Sequence, residues 1–551
     1  MFVARFSPAS FLLAGILSFA LSDCFGARRN NVLPPTTGES AAPVIALPGT
    51  PPSPARSGIG GSCTSAAQIA TVMVGACSPS PSSASSASSA PTTPIPTPTG
   101  APANPGAAAS YPTWLNSAVI YDLYTEIFSQ GGNFASVTAQ LPRIRNLGFT
   151  VLWLMPISPV GQPYNGHPAF DSPYCIEDHT VINPKYGTSA DLTDLVTTAH
   201  GLGMKVILDE PLNHTSWDNP LITQHPEYYL HSDGNPNNPN SIEVAFNYND
   251  VAQLNYKWVV NGVLQTGLQN YMTAMLQAWI KTYDIDGFRF DMPDNPPNDA
   301  RMIPASFWQG LRPALESVKP DILILGEEED QALTTQPFEL DYGWNLQSAL
   351  QRAANSGNPS GLQNVWQGQL TGWPAGTTHM SILQDWDLAE DLQMYGGTAN
   401  TMDAAVFNFT INGVPMLFNG EEVGNDNSGD DTHNAIDWNS SNAATFSTFY
   451  TALIALRNRN ASLQQGSLTW LGTGGSQVVA YDRKDSTGEF VIEINFSGGQ
   501  ANGSLSALAG GAGTWTDVTP SGSSGGNKHA VPSKYSLAPH DFAIFQRGAT
   551  P

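Results

Sequence analysis

The sequence predicts an eight-stranded (β/α)8 barrel with an insert after its third strand and a C-terminal β-sandwich, and three observations predict it. Eight short apolar runs follow one another: "AVIYDLY", "TVLWLMPI", "KVILDE", "IDGFRF", "ILILGE", "FELDYG", "HMSILQ" and "VPMLFNG". Amphipathic stretches such as "SADLTDLVTTAHGLG" and "LQNYMTAMLQAWIKTYD" separate several of them. Apolar strands alternating with helices predict a parallel sheet, and eight repeats predict its closure. Beyond Leu463 the helical pattern stops, and "QVVAYDR", "EFVIEINF" and "DFAIFQR" alternate between Gly-rich turns, as strands of a sandwich do.

Taken from the N-terminus, "MFVARFSPASFLLAGILSFALS" carries one Arg and then an apolar run ending in small residues, which reads as a signal peptide over residues 1–23. The run is short for a bilayer span, which needs about 20 apolar residues, and no later segment approaches that length. The expectation is a secreted or periplasmic protein. "LSDC", ending at Cys24, also resembles a lipoprotein box, with Asp23 atypical, so a lipid anchor at Cys24 and a cell-surface location form the second option. Residues 24–110 are rich in Pro, Ser, Thr and Ala without periodicity, a composition that cannot bury enough apolar surface to offset ordering. Within them Cys63 and Cys77 bracket a short Ala/Val-rich stretch and could pair in an oxidising compartment. The barrel is expected over residues 111–464, its insert over about 214–264 with polar loops such as "HSDGNPNNPN", and the sandwich over 465–551. Cys175 reads as a small core residue.

Charge narrows the function classes. Asp and Glu outnumber Lys and Arg by 46 to 22, for a formal charge of −24, with no basic run, which argues against nucleic acid or an anionic membrane as partner. Only 12% of residues are charged, a composition suited to a neutral polar substrate. No Cys-x-x-Cys or His cluster suggests zinc, and no organic cofactor is implied. A monomer is expected.

In "IDGFRFD", alternation puts Ile285, Gly287, Arg289 and Asp291 on one side and Asp286, Phe288 and Phe290 on the other. A guanidinium beside a buried carboxylate favours its ionised form. Barrel enzymes carry their chemistry at the carboxyl ends of strands. That rule selects Asp209 and Asn213/His214 after the third strand, Asp291 after the fourth, Glu327 after the fifth and Asp387 after the seventh. Two opposed carboxyls, one nucleophilic and one with a raised pKa, are what glycoside hydrolysis requires. Glu328 and Glu329 compete with Glu327 by proximity alone.

"VILDEPLNHTS", "GFRFD", "LILGE" and "LQDWD", in this order, resemble the four signature regions of the α-amylase superfamily, glycoside hydrolase family 13, and "SPYCIEDHTVINPKYGT" and "GVPMLFNGEEVG" resemble further family segments. The resemblance runs from about Val119 to Arg457. It implies retaining cleavage of α-glucosidic bonds in starch-like glucans or malto-oligosaccharides, with transglycosylation or isomerisation as the alternative and a silent glucan-binding protein as the second. It implies Asp291 as nucleophile, Glu327 as general acid/base, Asp387 as the carboxylate stabilising the transition state, and Arg289 as the residue holding the nucleophile ionised. It further implies Tyr174 stacking on the sugar, His214 contacting it, Asp209 organising the site, and Asn213 at a position that often binds structural calcium. Two departures stand out. Asp385-Trp386-Asp387 replaces the usual Asn-His-Asp, leaving Trp386 to stack on substrate in place of the histidine, and "MPDN" after Asp291 lacks the Lys-His pair of many α-amylases.

Overall fold

The computed structural model describes residues 112–548, apart from 294–300, 302, 330, 335–337, 372, 374–376, 389, 426–434, 507–513 and 521–532. The signal peptide, Cys24, Cys63, Cys77 and the Pro/Ser-rich segment lie outside the described residues.

Eight parallel strands close into a barrel: β1 (Ile120–Leu123), β2 (Val151–Leu154), β3 (Lys205–Pro211), β4 (Gly287–Asp291), β5 (Leu323–Gly326), β6 (Leu340–Tyr342), β7 (Thr378–Ser381) and β8 (Val414–Phe418). These are the eight runs read from the sequence. Helices follow each strand in turn: α1 (Phe134–Leu147), α2 (Ser189–Gly201), α3 (Gly267–Tyr283), α4 (Ala305–Glu316), α5 (Gln331–Thr334), α6 (Trp344–Ser356), α7 (Thr398–Thr410) and α8 (Ala443–Asn458). Local chemistry fixes their ends. Asn133 caps α1 by accepting from the Ser136 N–H, Gly148 ends it at φ 113°, and Thr188 with Asp191 forms a reciprocal capping box on α2.

Period-two alternation divides each strand's side chains between two cores. Ile120, Val151, Trp153, Ile207, Leu323, Leu325, Leu340, Tyr342, Met380, Val414 and Met416 fill the barrel, whereas Tyr121, Leu152, Val206, Leu208, Phe288, Phe290, Ile324 and Leu417 pack outward under the helices. Gly287 faces inward where strands crowd: a Cβ there would lie 2.8 Å from Ile207 and from Leu323. Ile285 departs from the expected alternation, because β4 begins only at Gly287 and Ile285 packs with the outer core. Asp286, pointing outward, is clamped by His200 at 2.6 Å and by Lys205 and Lys319 at 2.9 Å each.

Between β3 and α3 the chain makes an excursion in which His214–Ser216 pairs with Val251–Gln253 and Val259–Val260 pairs with Val263–Leu264. After α8, β9 (Ser467–Leu471), β10 (Val478–Lys484), β11 (Gly488–Asn495), β13 (Thr516–Asp517) and β15 (Asp541–Gly548) form a five-stranded antiparallel sheet, while β12 (Ala501–Ser504) pairs with β14 (Lys534–Leu537). Val478, Ala480, Val491, Leu505, Tyr535, Leu537 and Phe545 form the core of this C-terminal part. Its other face is continuous with the barrel's outer core through Tyr481, Ile492 and Ile544. Arg483 secures the junction by donating to the Thr410 carbonyl at 2.6 Å and the Gly466 carbonyl at 3.1 Å.

Candidate active site

The carboxyl ends of β3, β4 and β5 meet at Arg289. Register places Asp209 opposite Arg289 and Pro211 opposite Asp291, so three charged side chains from two neighbouring strands enter the mouth together. Arg289 Nη1 donates to Asp209 Oδ1 at 2.9 Å and to Asp291 Oδ1 at 3.0 Å, and Nη2 lies 2.7 Å from Glu327 Oε2. The guanidinium is fully buried, flanked by the rings of Trp153, Tyr174 and Tyr342 with centroids 5.3, 5.6 and 5.7 Å away. A buried cation is tolerated only when paired, and this one is paired three times.

Asp209 is held from the opposite side, accepting from Trp153 Nε1 at 3.3 Å and from the Tyr174 hydroxyl at 3.1 Å. It therefore orients both the arginine and the half-buried Tyr174 ring. Burial lifts the Asp209 carboxyl to about 6 against the pull of Arg289.

Asp291 and Glu327 are close enough to hydrogen-bond to each other, and that bond lowers the Asp291 carboxyl while raising that of Glu327. Burial pushes Glu327 up to about 7 and Asp291 up to about 6, with Arg289 opposing both shifts. Burial raises both carboxyls, and the bond between them favours the charge on Asp291 and the proton on Glu327. Glu327 also accepts from the Met292 backbone N–H at 3.1 Å. Met292 has φ 39°, a left-handed conformation costly for such a residue, directly after the candidate nucleophile. Asn213 braces it, its Nδ2 donating to the carbonyls of Met292 at 3.1 Å and Asp291 at 3.3 Å.

Asp387 stands exposed on the open side of the mouth, near enough to raise the Asp291 carboxyl. Its backbone N–H donates to Asp385 Oδ1 at 3.1 Å. Asp385 is buried, and burial, Asp387 and Glu327 hold its carboxyl well above the usual range. Trp386 is half-buried and packs edge-on against Tyr124, with centroids 5.0 Å apart. Of the adjacent acids, Glu329 is turned away, accepting from Asn345 Nδ2 and from Gln369 Nε2, each at 2.9 Å.

His214 sits beside this group but braces it: Nε2 hydrogen-bonds the Tyr174 carbonyl at 3.0 Å, and Nδ1 is buried without a partner. Burial pushes its pKa down to about 4, so the imidazole is neutral. Cys175 is a buried thiol donating to the Asp250 carbonyl at 3.3 Å.

Calcium takes about six to eight oxygens, usually several from carboxylates. Asn213 Oδ1 is a buried oxygen without a hydrogen-bond partner. The nearby carbonyls, however, are engaged by an amide nitrogen: Gln253 Nε2 donates to Asn213 O at 2.9 Å, Leu254 O at 3.1 Å and Arg301 O at 3.4 Å. Among the described residues no group of three or more His, Cys, Asp or Glu is placed to hold a metal. The donor set around Asn213 does not fit calcium.

Sequence reasoning missed Asp122, Trp153, Tyr342, Met292 and Gln253. Asp122 was within reach, since it lies at the carboxyl end of β1 where the mouth rule applies. It is buried beside Asp209, Arg289 and Asp385, with Oδ1 lacking a partner.

A family model describing the alpha amylase catalytic domain matches residues 104–460. "Alpha-amylase 3" of Dictyoglomus thermophilum is 23% identical over 350 residues, covering 58% of this chain and 66% of that protein, so the chain spans just under two thirds of it. A cyclomaltodextrinase of a Bacillus species is 23% identical over 435 residues, covering 71% and 75%. An alpha-1,4-glucan:maltose-1-phosphate maltosyltransferase of Mycobacterium tuberculosis is 32% identical over 214 residues, covering 36% and 28%. Among solved structures, an alpha-amylase from Lactobacillus plantarum superposes with a TM-score of 0.65 at 25% identity, over 78% of this chain and 99% of that one.

Proposed function

The chain belongs to the α-amylase family through its catalytic domain, and from that premise we propose that it cleaves α-glucosidic bonds in starch-like glucans or malto-oligosaccharides with retention of configuration. The observation that carries the reading is the single guanidinium of Arg289 joined to Asp291 at 3.0 Å and to Glu327 at 2.7 Å.

In the first step the Asp291 carboxylate attacks the anomeric carbon as the glycosidic bond breaks, and Glu327 gives its proton to the leaving oxygen. The sugar is then an ester of Asp291, and Glu327 is ionised. In the second step Glu327 takes a proton from water, the oxygen of that water attacks the anomeric carbon, and the carboxylate of Asp291 is released. Both transition states carry positive charge on the ring, which Asp387 stabilises from the open side. Tyr174, tethered to Asp209, offers its ring face to the sugar.

A sugar hydroxyl can replace water in the second step, and the 32% identity over 214 residues with a maltosyltransferase supports transfer as the second reading. A silent glucan-binding role has no support, since all three carboxylates are present. The product profile on starch, cyclodextrins, maltotriose, sucrose and trehalose tests substrate and reaction together. Proton NMR of the first-formed product should show the α anomer, and a β anomer would refute retention.

Export belongs to the same proposal, supported by the apolar leader over residues 1–22. The mass of the mature chain distinguishes simple cleavage from lipid attachment at Cys24. We expect the purified protein to sediment as a monomer.

A further inference from the structure

We propose that Gln253 takes the place of a structural cation, so that the insert is locked onto the catalytic loops without calcium. Gln253 ends the short strand Val251–Gln253 and is fully buried. Its carboxamide nitrogen is met by three backbone carbonyls: Asn213 O from the exit of β3, Leu254 O from the insert, and Arg301 O from the loop after β4. Three carbonyl oxygens converging on one point concentrate partial negative charge, which proteins balance with a hard cation or with N–H donors. Here the donors are an amide NH2, whose two protons serve the three oxygens, and the Leu254 backbone N–H, which also reaches Asn213 O at 3.1 Å.

The place of this knot gives it consequence. Asn213 O accepts from Gln253, while the side chain of Asn213 holds the carbonyls of Asp291 and the strained Met292. The knot is therefore one residue removed from the nucleophile. It joins the insert, the β3 exit and the β4 loop. Asn213 Oδ1 and the Oε1 of Gln253 itself, both buried without a hydrogen-bond partner, are oxygens left over from a cation's shell.

Exchanging the donor for a carboxylate should therefore convert the knot into a cation site. Gln253→Asp removes both N–H donors, shortens the side chain by one methylene and adds a negative charge among the carbonyls. Gln253→Glu does the same with the original length. The experiment measures the melting temperature of the full chain with EDTA and with calcium chloride, each at about 5 mM, alongside luminescence of added terbium, because a ion bound only by the folded state raises its melting point. Wild type should melt at the same temperature in both, within about 1 °C, and should not sensitise terbium. Gln253→Asp should melt lower in EDTA, gain roughly 5 °C or more with calcium, and sensitise terbium. A variant that folds only when calcium is present supports the proposal equally. A wild-type melting point that falls in EDTA or rises with calcium would overturn it. So would a pair of variants, folded or not, that both ignore calcium.

Discussion

Replacing Glu327 by Gln keeps the size and planarity of the side chain and removes its proton chemistry. Burial lifts this carboxyl from an ordinary 4.5 to about 7, against the opposing pull of Arg289. Ionising it in place therefore costs on the order of 3 kcal/mol relative to the unfolded chain. The sign follows from proton binding. Below about pH 4 the group is protonated in both states, and the burial of a neutral carboxyl carries no titration cost. Between about pH 4.5 and 7 the folded state binds more protons than the unfolded one, so stability falls as pH rises, and above pH 7 the loss is complete. Gln cannot titrate and escapes that loss. Glu327→Gln should match the wild-type melting temperature near pH 4 and exceed it by several degrees at pH 8, as read by circular dichroism on paired samples. Its kcat/KM should fall by about a hundred- to ten-thousandfold, as loss of a general acid does. The wild-type pH profile should be a narrow bell, its acid limb set by Asp291 near 6 and its basic limb by Glu327 near 7. A variant that melts below wild type at pH 8 would refute the argument, because the ion pair with Arg289 would then outweigh burial and Glu327 would rest ionised.

Asp291→Asn should abolish turnover while leaving fold and glucan affinity nearly intact, since the amide is near-isosteric and cannot form the ester; activity within about tenfold of wild type would remove Asp291 as nucleophile. Trp386→Ala should lower kcat/KM by up to roughly tenfold, the worth of an aromatic contact of about 0.5 to 1.5 kcal/mol. Because the indole is half-buried, the accompanying stability loss should stay below the roughly 3 to 5 kcal/mol of a buried Trp, and unchanged kcat/KM would assign it to packing alone. Arg483→Met should destabilise by about 1 to 3 kcal/mol, since it strands the buried Thr410 carbonyl at the barrel junction, whereas the Gly466 carbonyl keeps Asn412 Nδ2 at 3.1 Å; an unfolding midpoint within about 0.5 kcal/mol of wild type would contradict that account.

Much of this architecture is legible in the sequence because it rests on local periodicity. Arg289 and Asp291 lie two apart on a strand, and alternation alone sends both into the barrel. The eight strands are marked by apolar runs, and the mouth rule then reaches Asp209, Glu327 and Asp387 without further information. What escapes is whatever depends on a contact between distant segments. The bond from His214 Nε2 to the Tyr174 carbonyl, 40 residues away in the chain, is one such contact. Gln253 looks like any polar residue at the end of a short strand, since nothing in "DVAQLN" foretells that carbonyls from two other loops will converge on it. The left-handed Met292 is likewise unreadable, because its strain is held by Asn213 and used by Glu327, neither of them a neighbour in the chain. Trp153 and Tyr342 announce themselves as barrel core, which they are; only the position of Arg289 turns them into walls of the site.

The charge balance of the mouth connects these parts. Asp122, Asp209, Asp291, Glu327, Asp385 and Asp387 gather around one arginine, with burial raising the first five. If all six were ionised, five negative charges would stand unbalanced in a largely apolar setting, a cost no fold of this kind sustains. Burial instead favours the neutral form of its most buried acids, Asp122 and Asp385 among them, while Arg289 contacts Asp209, Asp291 and Glu327. That division favours charge on Asp291 under the guanidinium and a proton on Glu327, the two states that glycosidic cleavage needs at the outset. It also leaves the mouth short of positive charge. A sugar ring that becomes cationic in the transition state supplies it, and is stabilised most when its charge is greatest.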